Sequence, residues 1–172
     1  MLPGYGDSGP QHWQSRWEAS DPTCRRVVQR DWNHPTLAEW REALDRAISD
    51  CEQPPILVAH SLACALVAHW ARAAPHRVAG ALLVAPADAE MIAWMIDGVA
   101  SFTPMPLEPL SFPTIVVASR DDPYVTLARA EGFARAWGSR LVVLGAAGHI
   151  NADSGYGEWP EGRRLLDELR GR

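Results

Sequence analysis

This chain of 172 residues contains no lysine, and all 16 of its Lys or Arg positions are arginine. No side chain can therefore form a Schiff base, hold pyridoxal phosphate covalently or supply the lysine of a Walker A loop. Cysteine is scarce as well: Cys24, Cys51 and Cys64 are widely spaced and form no C-x-x-C pair. The sequence therefore predicts neither a disulfide framework nor a zinc site.

Long apolar runs and an excess of positive charge are also missing. No stretch approaches the length needed to cross a bilayer, and no charged and then apolar leader opens the chain. The net charge is −5 and the pI is about 5.6, so no basic surface for nucleic acid is expected. The composition predicts a cytoplasmic protein that binds neither nucleic acid nor membrane, folded as one domain over residues 1–172.

Strand-like apolar runs alternate with helix-like stretches along the chain. The strand-like runs cover residues 26–29, 55–58, 78–84, 113–118 and 140–144, and the helix-like stretches include residues 11–19, 37–48, 62–74, 127–137 and 160–169. Only Met1 and Leu2 precede Pro3, where a first strand is expected. This alternation predicts an α/β fold, a three-layer α/β/α sandwich around a mostly parallel sheet.

Ser61 stands between the strand at residues 55–58 and the helix that begins at residue 62. A serine on a tight strand-to-helix turn projects toward a reacting carbonyl, which is the geometry of the nucleophile elbow G-x-S-x-G. Ala59 and Ala63 occupy the positions where that motif has glycine. Alanine is still small enough for the close approach of strand and helix, so Ser61 is predicted to be a nucleophile.

An acid and a histidine follow in the order that this motif requires, Ser…Asp…His. Asp121 and Asp122 come after the strand at residues 113–118, and His149 comes after the strand at residues 140–144. Since functional sites form at the carboxyl ends of the strands in open α/β sheets, we expect these side chains to meet. His149 is predicted to be the general base that activates Ser61.

Three aspartates are candidates for the acid that orients His149. Asp122 is preferred because it stands directly before Pro123, where many hydrolase acids are found. Asp121 is then expected to support the turn, and Asp88 to cap a helix. His60 is next to the nucleophile, but side-chain alternation directs it elsewhere, so we expect it to pack or to support the site rather than react.

The oxyanion of an acyl-transfer reaction needs backbone donors. One is the N–H of the residue after the nucleophile, Leu62, and the other comes from the loop after the first strand, residues 3–9. Within that loop, the N–H of Tyr5 is the preferred donor and that of Gly4 is the second choice.

The same loop has a competing interpretation. Its spacing Gly4-x-Gly6-x-x-Gly9 matches the dinucleotide fingerprint, and Asp31 stands where a ribose-binding acid is expected. However, an aspartate at position 7 would repel a pyrophosphate, and a proline at position 10 removes a backbone donor at the start of the helix. A dinucleotide-binding oxidoreductase is therefore the weaker interpretation.

Residues 89–112 form the one long connection and are rich in Met, Trp, Phe and Pro. Met91, Trp94 and Phe102 are candidates, with Gly4, for lining an acyl pocket under a small lid. A loop that simply packs on the sheet has the same composition, so both interpretations stay open.

The chain resembles the small serine hydrolases of the retinoblastoma-binding protein nine and YdeN-like family, in the α/β-hydrolase superfamily. The resemblance covers nearly the whole chain and is carried by residues 3–9, 12–14, 60–62, 121–123, 148–155 and 157–162. It implies a compact hydrolase without a large cap, with nucleophile, acid and base at Ser61, Asp122 and His149. It also implies that some members act through protein binding instead of turnover.

These observations predict a serine hydrolase that cleaves a carboxylic ester, or else a thioester or small amide, with no metal and no cofactor. The first alternative is a protein that binds a partner on a hydrolase scaffold with little turnover. The second is the dinucleotide-binding oxidoreductase. A protein partner stays open, and the sequence indicates neither the natural substrate nor the oligomeric state.

Overall fold

The computed structural model describes residues 1–73 and 77–171. Within them, four strands alternate with helices. The strands are β1 (Ile56–His60), β2 (Gly80–Val84), β3 (Thr114–Ser119) and β4 (Arg140–Leu144). The helices are α1 (Trp13–Ser20), α2 (Leu37–Ser49), α3 (Leu62–Ala71), α4 (Ala89–Ile92), α5 (Leu127–Trp137) and α6 (Pro160–Leu169), and a 3-10 helix spans Val99–Phe102.

The four strands form one parallel sheet in the order β1-β2-β3-β4. The last residues of neighbouring strands are in register, His60 with Val84 and Ser119 with Leu144. Strands β2 and β3 are buried along their whole length, as apolar β-branched strands are in parallel sheets covered on both faces. Because every strand runs the same way, the loops after β1, β3 and β4 emerge at one edge of the sheet.

Helices cover both faces of the sheet, which confirms the predicted α/β/α sandwich. One face packs against α2, α3 and α5, with Trp40, Leu66 and Phe133 in its core. The other packs against α1 and α6 through Trp13 and Leu166. Burying each large apolar side chain contributes about 1.5–3 kcal/mol, so these two layers supply most of the driving force for folding.

Buried tryptophans in these layers are also hydrogen-bonded. Trp13, Trp40, Trp70 and Trp137 are each at most 1 % exposed. Each indole N–H donates to an oxygen: the carbonyls of Ile150, Asp31 and Pro106 accept from Trp13, Trp40 and Trp137, and the Asp45 carboxylate from Trp70. A buried N–H without an acceptor costs about 1–3 kcal/mol, so these bonds fix specific loops as well as filling the core.

The first strand is very short. Leu2 forms an isolated parallel bridge with Ala59, and Val27 N–H donates to Met1 O at 2.9 Å. The next bond of a ladder with residues 26–29 would need an N–H from Pro3, which has none. Residues 26–29 are therefore irregular, and the prediction of a strand there is wrong.

Several helix boundaries follow from local sequence. Thr36 caps α2 as predicted, since its Oγ1 accepts from Glu39 N–H, but the Glu39 carboxylate accepts from the Thr36 hydroxyl instead of the backbone N–H that the capping box requires. Pro160 is the first residue of α6, as predicted. Helix α3 ends at Ala71, and Ala74, the last residue of the predicted stretch, lies outside the described residues.

Candidate active site

Ser61 lies on the turn that joins β1 to α3 and has the strained backbone of a nucleophile elbow. Its φ is 58° and its ψ is −126°, a conformation that a non-glycine residue keeps only where its surroundings enforce it. The Ser61 N–H donates to Val84 O at 3.0 Å, which ties the turn to β2. Ala59 and Ala63 are completely buried on either side, so both alanines fit where the motif has glycine.

The tightest approach at this elbow falls on Gly4. A Cβ added to Gly4 would lie 2.7 Å from Ser61 Cβ, 3.0 Å from His60 O and 3.3 Å from Leu62 N. Real Cβ atoms do not reach the shortest of these distances, so a larger residue at position 4 must displace the turn. The glycine-rich loop therefore packs directly against Ser61.

His149 bridges Ser61 and Asp122. Its Nε2 lies 2.8 Å from Ser61 Oγ, and its Nδ1 lies 3.0 and 2.9 Å from the two Asp122 carboxylate oxygens. A carboxylate only accepts, so Nδ1 bears the proton and Nε2 accepts the hydroxyl of Ser61. The His149 side chain is 8 % exposed and that of Asp122 is fully buried. The imidazole is therefore held in the tautomer that can take a proton from Ser61.

The other two candidate acids bind elsewhere. Asp121 accepts from the Ser119 hydroxyl at 2.7 Å and from Gly148 N–H at 2.8 Å, and these bonds lower the pKa of its carboxyl. Asp88 caps α4 by accepting from Glu90 N–H and pairs with Arg129 at 2.6 Å. The structure thus brings only Asp122 of the three to the His149 ring.

Three backbone N–H groups at the elbow are available to a ligand. Among the described residues, the N–H groups of Gly4, Tyr5 and Leu62 have no acceptor. Gly6 N–H is occupied, since it donates to Trp32 O at 3.0 Å, and Asp7 N–H donates to Gly4 O at 3.2 Å. Leu62 and either Tyr5, the preferred loop donor, or Gly4, the second choice, are therefore the residues whose amides remain free for a ligand.

Details of the glycine-rich loop disfavour a dinucleotide site. Asp7 pairs with Arg26 at 2.8 Å, which places a carboxylate where a phosphate would bind. Helix α1 begins only at Trp13, and its N-cap, His12, already accepts from Gln14 N–H. The loop thus packs against the turn that bears Ser61 and forms hydrogen bonds within itself.

Gln14 is a functional candidate that sequence reasoning missed. Its side chain is completely buried, its Nε2 donates to Leu2 O and Val58 O at 3.2 and 3.1 Å, and its Oε1 accepts from Ser8 Oγ at 2.7 Å. It therefore fastens the glycine-rich loop to the sheet. Residues 12–14 contribute to the family resemblance, but that pattern does not show which atoms Gln14 would bind.

Residues 145–151, here called the His149 loop, carry His149. Side chains from β3 and from the turn after it fix this loop. Ser119 Oγ accepts from Ala147 N–H at 3.0 Å, and Asp121 binds Gly148 N–H. Gly148 has a φ of 53°, and a Cβ there would lie 2.4 Å from Ser154 Oγ. Only glycine tolerates both this positive φ and this close contact, so the backbone before His149 is held in one conformation.

Two further imidazoles lie buried beside the site. His60 donates from Nε2 to His149 O at 2.9 Å, and its ring centroid is 4.8 Å from those of both His12 and His149. Burial, followed by the proximity of His149 and His12, lowers the pKa of His60 well below its ordinary value. Burial likewise lowers the pKa of His12 to about 4. Both rings are therefore neutral at pH 7.

The structure places the predicted pocket residues of the segment 89–112 in two different environments. Helix α4 starts beside Tyr124, because Asp88 N–H donates to Tyr124 O, and the Tyr124 ring is 4.6 Å from that of His149. Met91 is half-buried on this helix, and Trp94 just after it is 82 % exposed. Phe102 does not belong with them: its ring is wholly buried against Trp40, so it is part of the core instead of a pocket wall.

A cavity of about 940 Å³ lies away from this site, at the opposite edge of β1. It is lined by the chain start, the end of α2 and the end of α6, including Met1, Ile48 and Leu169. None of the predicted site residues borders it.

Residues 1–73 and 77–171 contain no cluster of three or more His, Cys, Asp or Glu side chains arranged to hold a metal ion. In the same part of the chain, no helix has the length and apolar character needed to cross a bilayer.

Fold and site together define an α/β-hydrolase. A YdeN-like hydrolase from Pectobacterium atrosepticum is 40% identical to this chain, with a TM-score of 0.87 over 98% of this chain and 88% of that one. The ydeN gene product of B. subtilis is 21% identical, with a TM-score of 0.81 over 99% and 97%. An esterase domain from Rhodothermus marinus is 18% identical, with a TM-score of 0.63 over 81% and 72%.

The sequence profile of the serine hydrolase family matches residues 1–168. The chain therefore belongs to that family, which confirms the resemblance predicted from the sequence, and it is a hydrolase. A search of curated protein sequences finds no match.

Proposed function

We propose that this hydrolase cleaves carboxylic esters through an acyl-enzyme formed on Ser61. One observation carries the proposal: the unbroken hydrogen-bonded chain from Asp122 through His149 to Ser61, with links of 2.8–3.0 Å. A serine hydroxyl is a weak nucleophile until an oriented base takes its proton, and these contacts supply both the base and its orientation.

The reaction begins when Ser61 Oγ attacks the carbonyl carbon as His149 Nε2 accepts the hydroxyl proton. The carbonyl oxygen becomes an anion that the N–H groups of Tyr5 and Leu62 stabilise, which is the contribution usually worth about 10²–10³ in rate for one donor. Collapse of this intermediate breaks the bond to the alcohol, which leaves with the proton from His149.

Water completes the cycle. His149 Nε2 accepts a proton from a water molecule as that water attacks the acyl carbon, and Ser61 leaves with the proton when the acid is released. Asp122 stays ionised throughout, holds the Nδ1–H of His149 and stabilises the imidazolium that forms in both halves of the reaction. Thioesters and small amides fit the same sequence of steps.

A fluorophosphonate probe tests this proposal directly. We expect stoichiometric phosphonylation at Ser61, located by mass spectrometry, and its loss in Ser61→Ala and His149→Ala. Hydrolysis of p-nitrophenyl esters should disappear in Ser61→Ala, which keeps the fold because Ser61 makes no side-chain cap at α3. Folded native protein that neither labels nor hydrolyses any ester in a broad panel would overturn the proposal and favour a binding role.

A further inference from the structure

Two buried ring N–H groups converge on consecutive carbonyls of the His149 loop. His60 Nε2 donates to His149 O and Trp13 Nε1 donates to Ile150 O, each at 2.9 Å. The two donors come from different elements, the end of β1 and the start of α1. A carbonyl oxygen can only accept, so both contacts are true donor contacts whatever the tautomer elsewhere.

The carbonyls that they hold belong to a strained turn. Ile150 has a φ of 49°, which is costly for a β-branched residue, and it is completely buried. Its own N–H donates back to Ala147 O at 3.1 Å. Without fixed carbonyls, the peptide groups on either side of Ile150 are free to rotate toward an ordinary negative φ, and the backbone of His149 would turn with them.

We infer that His60 and Trp13 are positioning residues for the hydrolytic reaction: their ring N–H groups fix the carbonyls of His149 and Ile150 and so aim the His149 imidazole at Ser61. The inference rests on the proposed function. It gives a role to His60, the histidine next to Ser61, and to Trp13, the first residue of α1.

The neutral state of His60 fits this role. The His60 ring lies between those of His12 and His149, with all three imidazoles within van der Waals range of a neighbour. A second positive charge there would oppose the imidazolium that His149 becomes during turnover. A neutral ring with its proton on Nε2 donates one hydrogen bond and adds no charge.

The test compares variants that keep or remove each donor. His60→Phe and Trp13→Phe keep an aromatic ring but lose the N–H, and His60→Gln restores an N–H at nearly the same reach. Active-site concentration is titrated with the fluorophosphonate, so that unfolded protein does not count. We expect kcat to fall about 10–100-fold in both Phe variants with KM within about twofold, since displacement of a catalytic group by about 1 Å costs about that much. His60→Gln should recover most of the loss.

Trp17→Phe is the matched control. Trp17 lies one turn further along α1, is 2 % exposed and donates to Glu158 O at the same 2.9 Å, but that carbonyl is outside the His149 loop. We expect Trp17→Phe to lower the melting temperature about as much as Trp13→Phe and to leave kcat unchanged. Equal kcat losses in the two tryptophan variants, or unchanged kcat in His60→Phe, would overturn the inference.

Crystal structures of the Phe variants give a readout that does not depend on turnover. The inference expects Ile150 to leave its φ of 49° and the distance from His149 Nε2 to Ser61 Oγ to lengthen from 2.8 Å. An unchanged turn and distance would contradict it. If the native protein fails to label at Ser61, the proposed function fails, while this structural comparison still decides whether the two donors position His149.

Discussion

The His149 loop and the segment at residues 89–112 follow parallel strands of one sheet, β4 and β2, and differ in the side chains that they expose. The His149 loop is fixed by directional bonds from side chains distant in sequence, Ser119, Asp121, His60 and Trp13. The other segment also receives bonds from distant side chains, since His69 donates to Phe102 O and Trp137 donates to Pro106 O, each at 2.8 Å, and it buries Phe102 in the core. It leaves three large apolar side chains exposed: Trp94, Met95 and Leu107.

The two regions are therefore suited to different tasks, the His149 loop to the chemical step and residues 89–112 to the choice of substrate. Proton transfer needs atoms fixed to within a fraction of an ångström, and hydrogen bonds supply that precision. Apolar contacts are less directional, so a surface built from Met and Trp side chains can accept ligands of differing shape. We therefore expect substitutions in or beside the His149 loop to change kcat strongly. Substitutions at residues 89–112, here called the apolar segment, should change substrate preference weakly.

Among substitutions that leave Ser61 and His149 in place, Asp122→Asn should lower kcat the most. An amide in place of the buried carboxylate removes the anion that stabilises the His149 imidazolium, and its NH₂ group opposes the Nδ1–H tautomer. We expect kcat for a p-nitrophenyl ester to fall about 10³-fold or more, with the protein still folded.

Asp121→Asn is the control for this substitution. It alters the neighbouring carboxylate, which binds Gly148 N–H instead of the imidazole. We expect its kcat loss to be about tenfold, because the loop keeps its other anchors. A larger loss in Asp121→Asn than in Asp122→Asn would reverse the assignment of the acid.

Gly4→Ala tests the contact between the glycine-rich loop and the elbow. The new Cβ would stand 2.7 Å from Ser61 Cβ, so the loop must move and carry the Tyr5 N–H away from the oxyanion. We expect kcat to fall about 10²-fold, the usual cost of one misplaced donor. In Gly9→Ala, a Cβ added in the same loop meets no atom within 4 Å, and activity should be retained. Equal effects of the two substitutions would contradict the assigned donor.

Short local patterns made the hydrogen-bonded arrangement of Ser61, His149 and Asp122 predictable. Ser61, Asp122 and His149 each directly follow a strand-like run or the turn after one, and parallel strands bring such positions to one edge. The supports were not predictable in the same way, because Trp13 lies 137 residues from the carbonyl that it binds. Phe102 shows the same limit: its apolar character is equally suited to a pocket wall and to the core, and only the packing against Trp40 decides.

Acid should destabilise the folded protein through its buried histidines. His12 and His60 lie beside the His149 loop, and His69, which donates to Phe102 O, acts in the same direction because burial lowers its pKa. The pKa of His12 is about 4 in the folded protein against an ordinary 6.5, so below pH 6.5 the unfolded chain takes up a proton that the folded one refuses. The free energy of unfolding should therefore fall between about pH 6.5 and pH 4. His12 alone accounts for about 3 kcal/mol of this loss, and His60 adds to it in the same direction.

Denaturant unfolding of His12→Asn across pH 4–8 checks this expectation. Asparagine keeps an N-cap acceptor for α1 but has no titrating group in this range. The variant should lose less stability on acidification than the native protein, and the difference between the two should be constant above pH 7. Parallel curves over the whole range would show that His12 does not supply the acid-sensitive stability.

Trp94→Ala should have the smallest effect, and it is the one that sharpens the role of the apolar segment. Because Trp94 is 82 % exposed, its removal leaves no cavity in the core. If it borders the acyl chain, kcat/KM for p-nitrophenyl octanoate should fall about 3–10-fold while that for the acetate stays unchanged, since each methylene in contact contributes modestly. Val28→Ala removes a comparably exposed apolar side chain outside this segment and should alter neither ester. The same loss for acetate and octanoate would show that the segment shapes the reacting centre instead of the chain pocket.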